Sequence, residues 1–270
     1  MNIFSEPSLP NCASRETEVM VRRTEQPFSD LAVAARAEAE KDPTDPDKWI
    51  KLGRLYRRQS MHLEAIAAYS MGITYHPFYP LLYRHKGHAY INISQYEQAA
   101  ADFEYALRLD PTDYDCWYHL GVSYFLLEDY IRSERCWRKC FELSDAPLDL
   151  VSHSDWLWMV LNRLGRGEEA QKLLEPITPD LDPGRCTAYH KRLLMYKGLL
   201  KPENLLPGDN LEDSIEVVTM GFGVANYYYV QGQPEKGDCI IRRVLEAGAE
   251  HAWSSFGYQA ALVEKKRRGL

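Results

Sequence analysis

Arginine and histidine cluster in this chain at spacings that one helix face could collect. His85-Lys-Gly-His88 puts two imidazoles at i and i+3, directly after Arg84. His119 stands 34 residues beyond His85, and His190 and Arg192 come later. Imidazole can bind a metal or move a proton, and guanidinium offers a fork of N–H donors to a carboxylate or phosphate. A metal would need a third convergent ligand, and no His–carboxylate spacing of a known site type occurs. Cys136 and Cys140 share a face at i, i+4, but Cys-x2-Cys pairs are absent, so reduced structural thiols are the expectation. No Ser/His/Asp or Cys/His set stands at a nucleophile's spacing. Gly221-Phe-Gly223 lacks the preceding strand and the further glycine of a nucleotide loop, and reads as close helix packing. Neither a metal, another cofactor nor an enzyme is therefore expected. One alternative stays open: Arg84, His85, His88, His119, His190 and Arg192 could converge on a pocket for a small anionic metabolite, or even an enzyme site.

The elements that must position these groups follow a strict period. Trp49, Tyr83 and Trp117 are 34 residues apart, as are Gly53, Gly87 and Gly121, and Tyr56, Tyr90 and Tyr124. Ala65 and Ala99 share the offset, as do Tyr69, Phe103 and Trp137, and Pro43, Pro77 and Pro111. Within each unit, Trp49, Leu52, Gly53 and Tyr56 lie at i, i+3, i+4 and i+7 of one helix, and Ala65, Tyr69 and Gly72 face back from a second. Glycine inside a helix costs about 0.5–1 kcal/mol relative to alanine, so its recurrence demands close backbone approach. Proline ends the second helix because it cannot continue the hydrogen-bonded turn.

Clear units span 46–79, 80–113 and 114–147; in the third, Ser133 replaces the usual alanine and Asp145 stands where proline is expected. Residues 29–45 read as the second half of a degenerate unit, capped by Ser29 or Asp30. The period drifts over 151–249, and a helix at 253–265 suits a cap. Residues 1–28 read as a flexible tail with one short helix between Arg15 and Arg23, and Pro207-Gly-Asp-Asn as the clearest internal loop.

Net charge is −7, which disfavours general nucleic-acid binding. No apolar run spans a membrane, no signal pattern opens the chain, and no hydrophobic stretch precedes Cys12 as a lipid anchor would require. The cytoplasm is the expected compartment.

The aromatic-x2-Leu-Gly-x2-Tyr and Ala-x3-aromatic pattern over 46–147 resembles tetratricopeptide repeats. The resemblance implies an all-α, right-handed superhelix of about five to six helix pairs with a capping helix. Leu82-Tyr-Arg-His-Lys-Gly-His-Ala-Tyr90 further resembles a group of bacterial repeat proteins without assigned activity, and the C-terminal layout is similar to NlpI-type adaptors. In the repeat family, fixed positions of each first helix line a concave groove. By position these are Asp47, Ile50, Lys51, Arg54, Arg57 and Arg58, then Leu81, Arg84, His85, His88, Ile91 and Asn92, then Asp115, Tyr118, His119, Val122, Phe125 and Leu126. The family's carboxylate clamp is absent, since Ile50, Arg54, His85, Asp115 and His119 occupy its positions. The implied function is a non-enzymatic adaptor that binds a peptide segment of a partner protein. Arg54, Arg84 and His88 would supply donors for an acidic group, Tyr118 and Phe125 would take an apolar side chain, and His85, Asn92 and His119 would line the same groove.

Overall fold

The computed structural model describes residues 27–144, 146–206 and 214–270. The expectations for residues 1–26, for Cys12, for Asp145 and for the Pro207 loop lie outside them. Among the described residues every regular element is helical, and no strand forms. The chain divides into two compact units, Met1–Leu120 and Gly121–Leu270.

Unit 1 contains α1 (Asp30–Lys41), α2 (Pro46–Arg58), α3 (His62–Tyr75), α4 (Pro80–Asn92), α5 (Tyr96–Leu109) and the first half of α6 (Tyr114–Leu126). Ser29 is the N-cap of α1, its hydroxyl accepting from the Ala32 amide at 3.3 Å. The small-residue logic of the period holds at atomic distance. A Cβ on Gly53 would fall 2.3 Å from the Tyr69 ring, and one on Gly87 would fall 2.9 Å from Phe103. Each glycine thus admits the aromatic ring contributed by the second helix of its own unit.

Two further regularities explain residues that the pattern left as mere signature. The indole of Trp49 donates to the Pro43 carbonyl at 2.9 Å, and Tyr83 donates to Pro77 at 2.9 Å. In each case the repeating aromatic ties its helix to the proline that ended the preceding one. The turn between paired helices also repeats. Ser60 and Ser94 adopt φ of 58° and 60°, and the next amides, Met61 and Gln95, reach back to Tyr56 and Tyr90 carbonyls at 3.0 Å. This is the left-handed helix stop that glycine usually fills.

Unit 2 contains the rest of α6, then α7 (Tyr130–Leu143), α8 (Pro147–Arg163), α9 (Gly167–Lys172), α10 (Thr187–Tyr196), a 3-10 turn (Pro202–Asn204), α11 (Ile215–Val230), α12 (Pro234–Ala247) and α13 (Phe256–Arg268). Ser133, the departure from alanine, donates to the Gly121 carbonyl at 2.8 Å and accepts from the Trp137 indole at 2.9 Å. The hydroxyl thus satisfies a donor that a buried tryptophan brings with it. The helix-stop turn recurs in register at Glu128, 34 residues after Ser94, and persists at Gly165, Gly198 and Gly232, where the sequence period has drifted, all with positive φ. The last helix starts at Phe256, later than expected, because Ser255 caps it through the Tyr258 amide at 3.3 Å. α10 ends at Tyr196, just before the positive-φ Gly198 turn.

Candidate functional site

In unit 1, α2, α4 and α6 bring basic side chains around Arg57. Arg54 is exposed on α2, and Arg57, one turn on, is half-buried. Among the described residues no carboxylate lies within ion-pair distance of either. His85 stacks on Tyr69 with ring centroids 5.7 Å apart. His88 meets His119 at 4.7 Å, and His119 stacks on Phe103 at 5.6 Å and meets the edge of Tyr118 at 5.4 Å. One His119 ring nitrogen lies 2.6 Å from the Asp115 carbonyl, and one of His88 lies 3.2 Å from the Asn92 side-chain oxygen.

This environment holds the imidazoles neutral. Burial, with Arg84, Arg57 and Arg54 nearby, pulls His85 down to about 3. His119 is drawn down to about 4, mainly by burial, against the Asp115 carbonyl that favours its proton. His88 is held well below the usual histidine range by burial and His119. His62, buried beside Arg57, falls to about 3. Burial likewise lowers Arg57 itself. The Tyr69 hydroxyl is fully buried and has no hydrogen-bond partner among the described residues, and burial raises it to about 12 even with Arg57 and Arg54 close by. His62 and Tyr69 were not read as site residues because both sit on second helices, Tyr69 appearing in the sequence only as a packing aromatic of the period.

Arg84 is engaged differently from the expectation. Its guanidinium pairs with Asp115 at 3.0 Å and Asp113 at 3.4 Å, so its charge is compensated within unit 1. Lys86, between the two histidines in sequence, pairs with the mostly buried Asp102 at 3.1 Å. Asn92 is buried. Among the described residues, no three His, Cys, Asp or Glu side chains converge as a metal would require.

In unit 2, Phe125 is a packing residue, only 5% exposed. Its ring meets Trp156 edge-on at 5.1 Å and Tyr130 at 5.6 Å. The alternative anion pocket loses two members here. His190 is buried with a ring nitrogen 2.8 Å from the Thr178 carbonyl. Arg192 is 1% exposed and pairs with the fully buried Asp155 at 2.8 Å. The guanidinium also donates to the Tyr196 hydroxyl at 3.2 Å and the Thr219 carbonyl at 3.1 Å. Burial raises Asp155 to about 7, opposed by Arg192, while Asp155 raises Arg192 despite its burial. Both side chains are thus consumed by the interior. Gly223 is what lets Arg192 in: a Cβ there would sit 2.0 Å from its Nε. Gly221 similarly admits Val244, at 2.3 Å. These contacts are the close packing expected of that dipeptide spacing. Cys136 and Cys140 are buried thiols of α7.

Comparison with known proteins agrees with this architecture. Two family models, described as TPR repeat and tetratricopeptide repeat, match residues 87–127 and 114–147. Tetratricopeptide repeat protein 12 of Homo sapiens is 28% identical over 141 residues, covering 52% of this chain and 19% of that protein. Superkiller complex protein 3 of Homo sapiens is 37% identical over 137 residues, 50% of this chain and 9% of that protein. The chain therefore spans only a small part of the length of these curated relatives. Among solved structures, a tetratricopeptide repeat protein from Parabacteroides merdae superposes with a TM-score of 0.55 at 15% identity, covering 86% of this chain and 91% of that one. YrrB, described as a TPR protein with an unusual peptide-binding site, superposes with a TM-score of 0.50 at 18% identity, covering 87% and 99%. Together with the repeating glycine–aromatic contacts and helix stops, these matches show tetratricopeptide repeats over residues 87–147 of an all-α chain.

Proposed function

We propose that the chain is a non-enzymatic protein-interaction module, and that unit 1 receives an acidic side chain of a partner's peptide segment at Arg54 and Arg57. Tetratricopeptide repeats generally mediate protein–protein interaction, which sets the class. The observation that carries the finer reading is a pair of arginines with no carboxylate partner among the described residues, beside a buried Tyr69 hydroxyl that lacks an acceptor or donor. A guanidinium with no counterion gains most from an incoming carboxylate, which accepts its N–H donors and restores the balance of charge. His85, His88 and His119 form the surrounding aromatic wall, with Tyr118 as the flanking surface for an apolar side chain. Arg84, held by Asp113 and Asp115, shapes the wall and supplies no free charge.

Peptide display tests this reading. Selection on the wild-type protein should enrich Asp- or Glu-containing sequences, and those peptides should bind Arg54→Gln/Arg57→Gln at least tenfold more weakly. Arg84→Gln should weaken them less. Selected peptides without acidic residues, or equal binding by the double variant, would overturn the assignment.

A further inference from the structure

We propose that unit 2 carries a second, independent site: a cavity between the last turns of α8 and α11 that binds a small neutral molecule through a primary amide on an aromatic ring. The cavity holds about 290 Å³, the lower end of the size that takes a small ligand. Its apolar wall is Trp158 and Met159 from α8 with Val230 from α11. Its polar wall is Asn162 and Arg163 from α8 with Asn226 and Tyr229 from α11. Most of these side chains are already held in place. The Trp158 ring lies parallel to Tyr196 with centroids 3.7 Å apart. The Tyr229 hydroxyl donates to Asp238 at 3.0 Å, and the Arg268 guanidinium sits 4.2 Å over the Tyr229 ring centroid. The Asn226 amide nitrogen donates to the Phe222 carbonyl and its oxygen accepts from Arg163, both at 2.8 Å. A wall fixed in this way loses little side-chain freedom when a ligand enters.

Hydrogen-bonding capacity on this wall is left over. Arg163 commits Nη2 to Asn226 and Glu264, which leaves Nε and Nη1 without an acceptor among the described residues. Asn162 donates its amide nitrogen to the Trp158 carbonyl at 2.8 Å, which leaves its Oδ1 without a donor among them. The Trp158 indole N–H, on a residue only 1% exposed, also lacks an acceptor among them, which native interiors rarely tolerate without a reason. A donor and an acceptor on adjacent residues match a primary amide, whose oxygen accepts from Arg163 and whose N–H donates to Asn162. A carboxylate has no N–H to give, and the balance of charge does not call for one. Arg163 pairs with Glu264 at 2.9 Å, Glu264 also takes Arg267, Arg267 faces Glu128 at 3.6 Å, and Arg268 pairs with Asp238. These arginines are thus matched by carboxylates. An added anion would stand beside the buried Glu264, and like charges repel strongly where water is partly excluded. The Trp158 ring and the Met159 thioether favour an aromatic carrier for the amide.

The test titrates the full chain with benzamide, benzoate and N-acetylglutamine amide at pH 7.5, read by saturation-transfer difference NMR. Benzamide should saturate with a dissociation constant on the order of 1 mM or tighter, as suits a ligand of its size. Benzoate, which is charged, should bind about fivefold or more weakly. N-acetylglutamine amide, which presents the amide as a peptide side chain would, should also bind about fivefold or more weakly, for want of the ring. Asn162→Leu should weaken benzamide by about fivefold or more and narrow its advantage over benzoate. Val230→Trp, at a wall position 39% exposed, should fill the cavity and abolish saturation. Melting followed by circular dichroism verifies the fold of both variants. Benzoate bound as tightly as benzamide would overturn the neutral amide. N-acetylglutamine amide bound as tightly would overturn the free aromatic ligand. No saturation by benzamide, or saturation undiminished in either folded variant, would overturn the site. None of these results bears on Arg54 and Arg57 of unit 1, which the selected peptides test separately.

Discussion

Replacing Asp155 by Asn in unit 2 should be among the most damaging single changes of charge in this protein. Asp155 is 0% exposed, and its partner Arg192 is 1% exposed. After the change Arg192 keeps the Tyr196 hydroxyl and the Thr219 carbonyl but loses the Asp155 carboxylate at 2.8 Å, its only counterion among the described residues. It cannot swing out, because its side chain lies against Gly223 and within the α10–α11 contact. Removing one partner of a buried pair typically costs about 3–5 kcal/mol, since the other charge is left uncompensated. For a unit of this size that is about 6–20 °C in melting temperature. The double variant Asp155→Val/Arg192→Met removes both charges and keeps roughly similar bulk, so it should cost less than Asp155→Asn alone. Urea and thermal unfolding followed by circular dichroism read both. A single variant within about 1 kcal/mol of wild type, or a double variant worse than either single, would refute the reasoning that Arg192 depends on Asp155.

Two further outcomes follow from other parts of the fold. His62 and His153 are 5% and 0% exposed and both are held near 3. Their unfolded-state value lies at about 6.5, so the unfolded chain takes up protons first as pH falls; the stability they contribute is complete above pH 6.5 and is lost below it, by about 2 kcal/mol each at pH 5. Urea midpoints at pH 7.5 and 5 should therefore diverge, and His153→Phe should narrow the gap; an unchanged gap would refute His153's share. Ser60 holds φ of 58° at a helix stop, so Ser60→Gly should raise stability by about 0.5–1 kcal/mol in chemical unfolding, since the left-handed strain outweighs the added chain entropy; a loss would show that the turn carries no such strain.

Much of the architecture was readable from the chain. Gly53 and Gly87 announced close approach, and the aromatics that fill those spaces were named by the same period. Pro43 and Pro77 were read as helix stops, but their second role, as carbonyl acceptors for Trp49 and Tyr83, has no sequence signal apart from the constant spacing of six residues. The helix-stop turns were hidden at Ser60 and Ser94 because neither is glycine, and nothing local marks a serine for positive φ. The candidate site was only partly legible. Arg54, His85, His88 and His119 were identified by position. That Arg84 is neutralised while Arg57 is not could not be foreseen, because Asp113 and Asp115 approach Arg84 only when α4 and α6 pack.

The sequence by itself determined the repeat, the helices and the residue types available for anion binding, because a 3.6-residue period and a 34-residue offset are properties of the chain alone. Tertiary structure alone decided which of those residues have charge to spare. Phe125, His190 and Arg192 looked like surface chemistry and became interior packing, because the burial of a side chain is set by neighbours distant in sequence. Arg192 shows the physical reason most directly. Its cost of burial is met by Asp155, 37 positions earlier, and its space is left by Gly223, 31 positions later, and neither relation can be read from the residues around it.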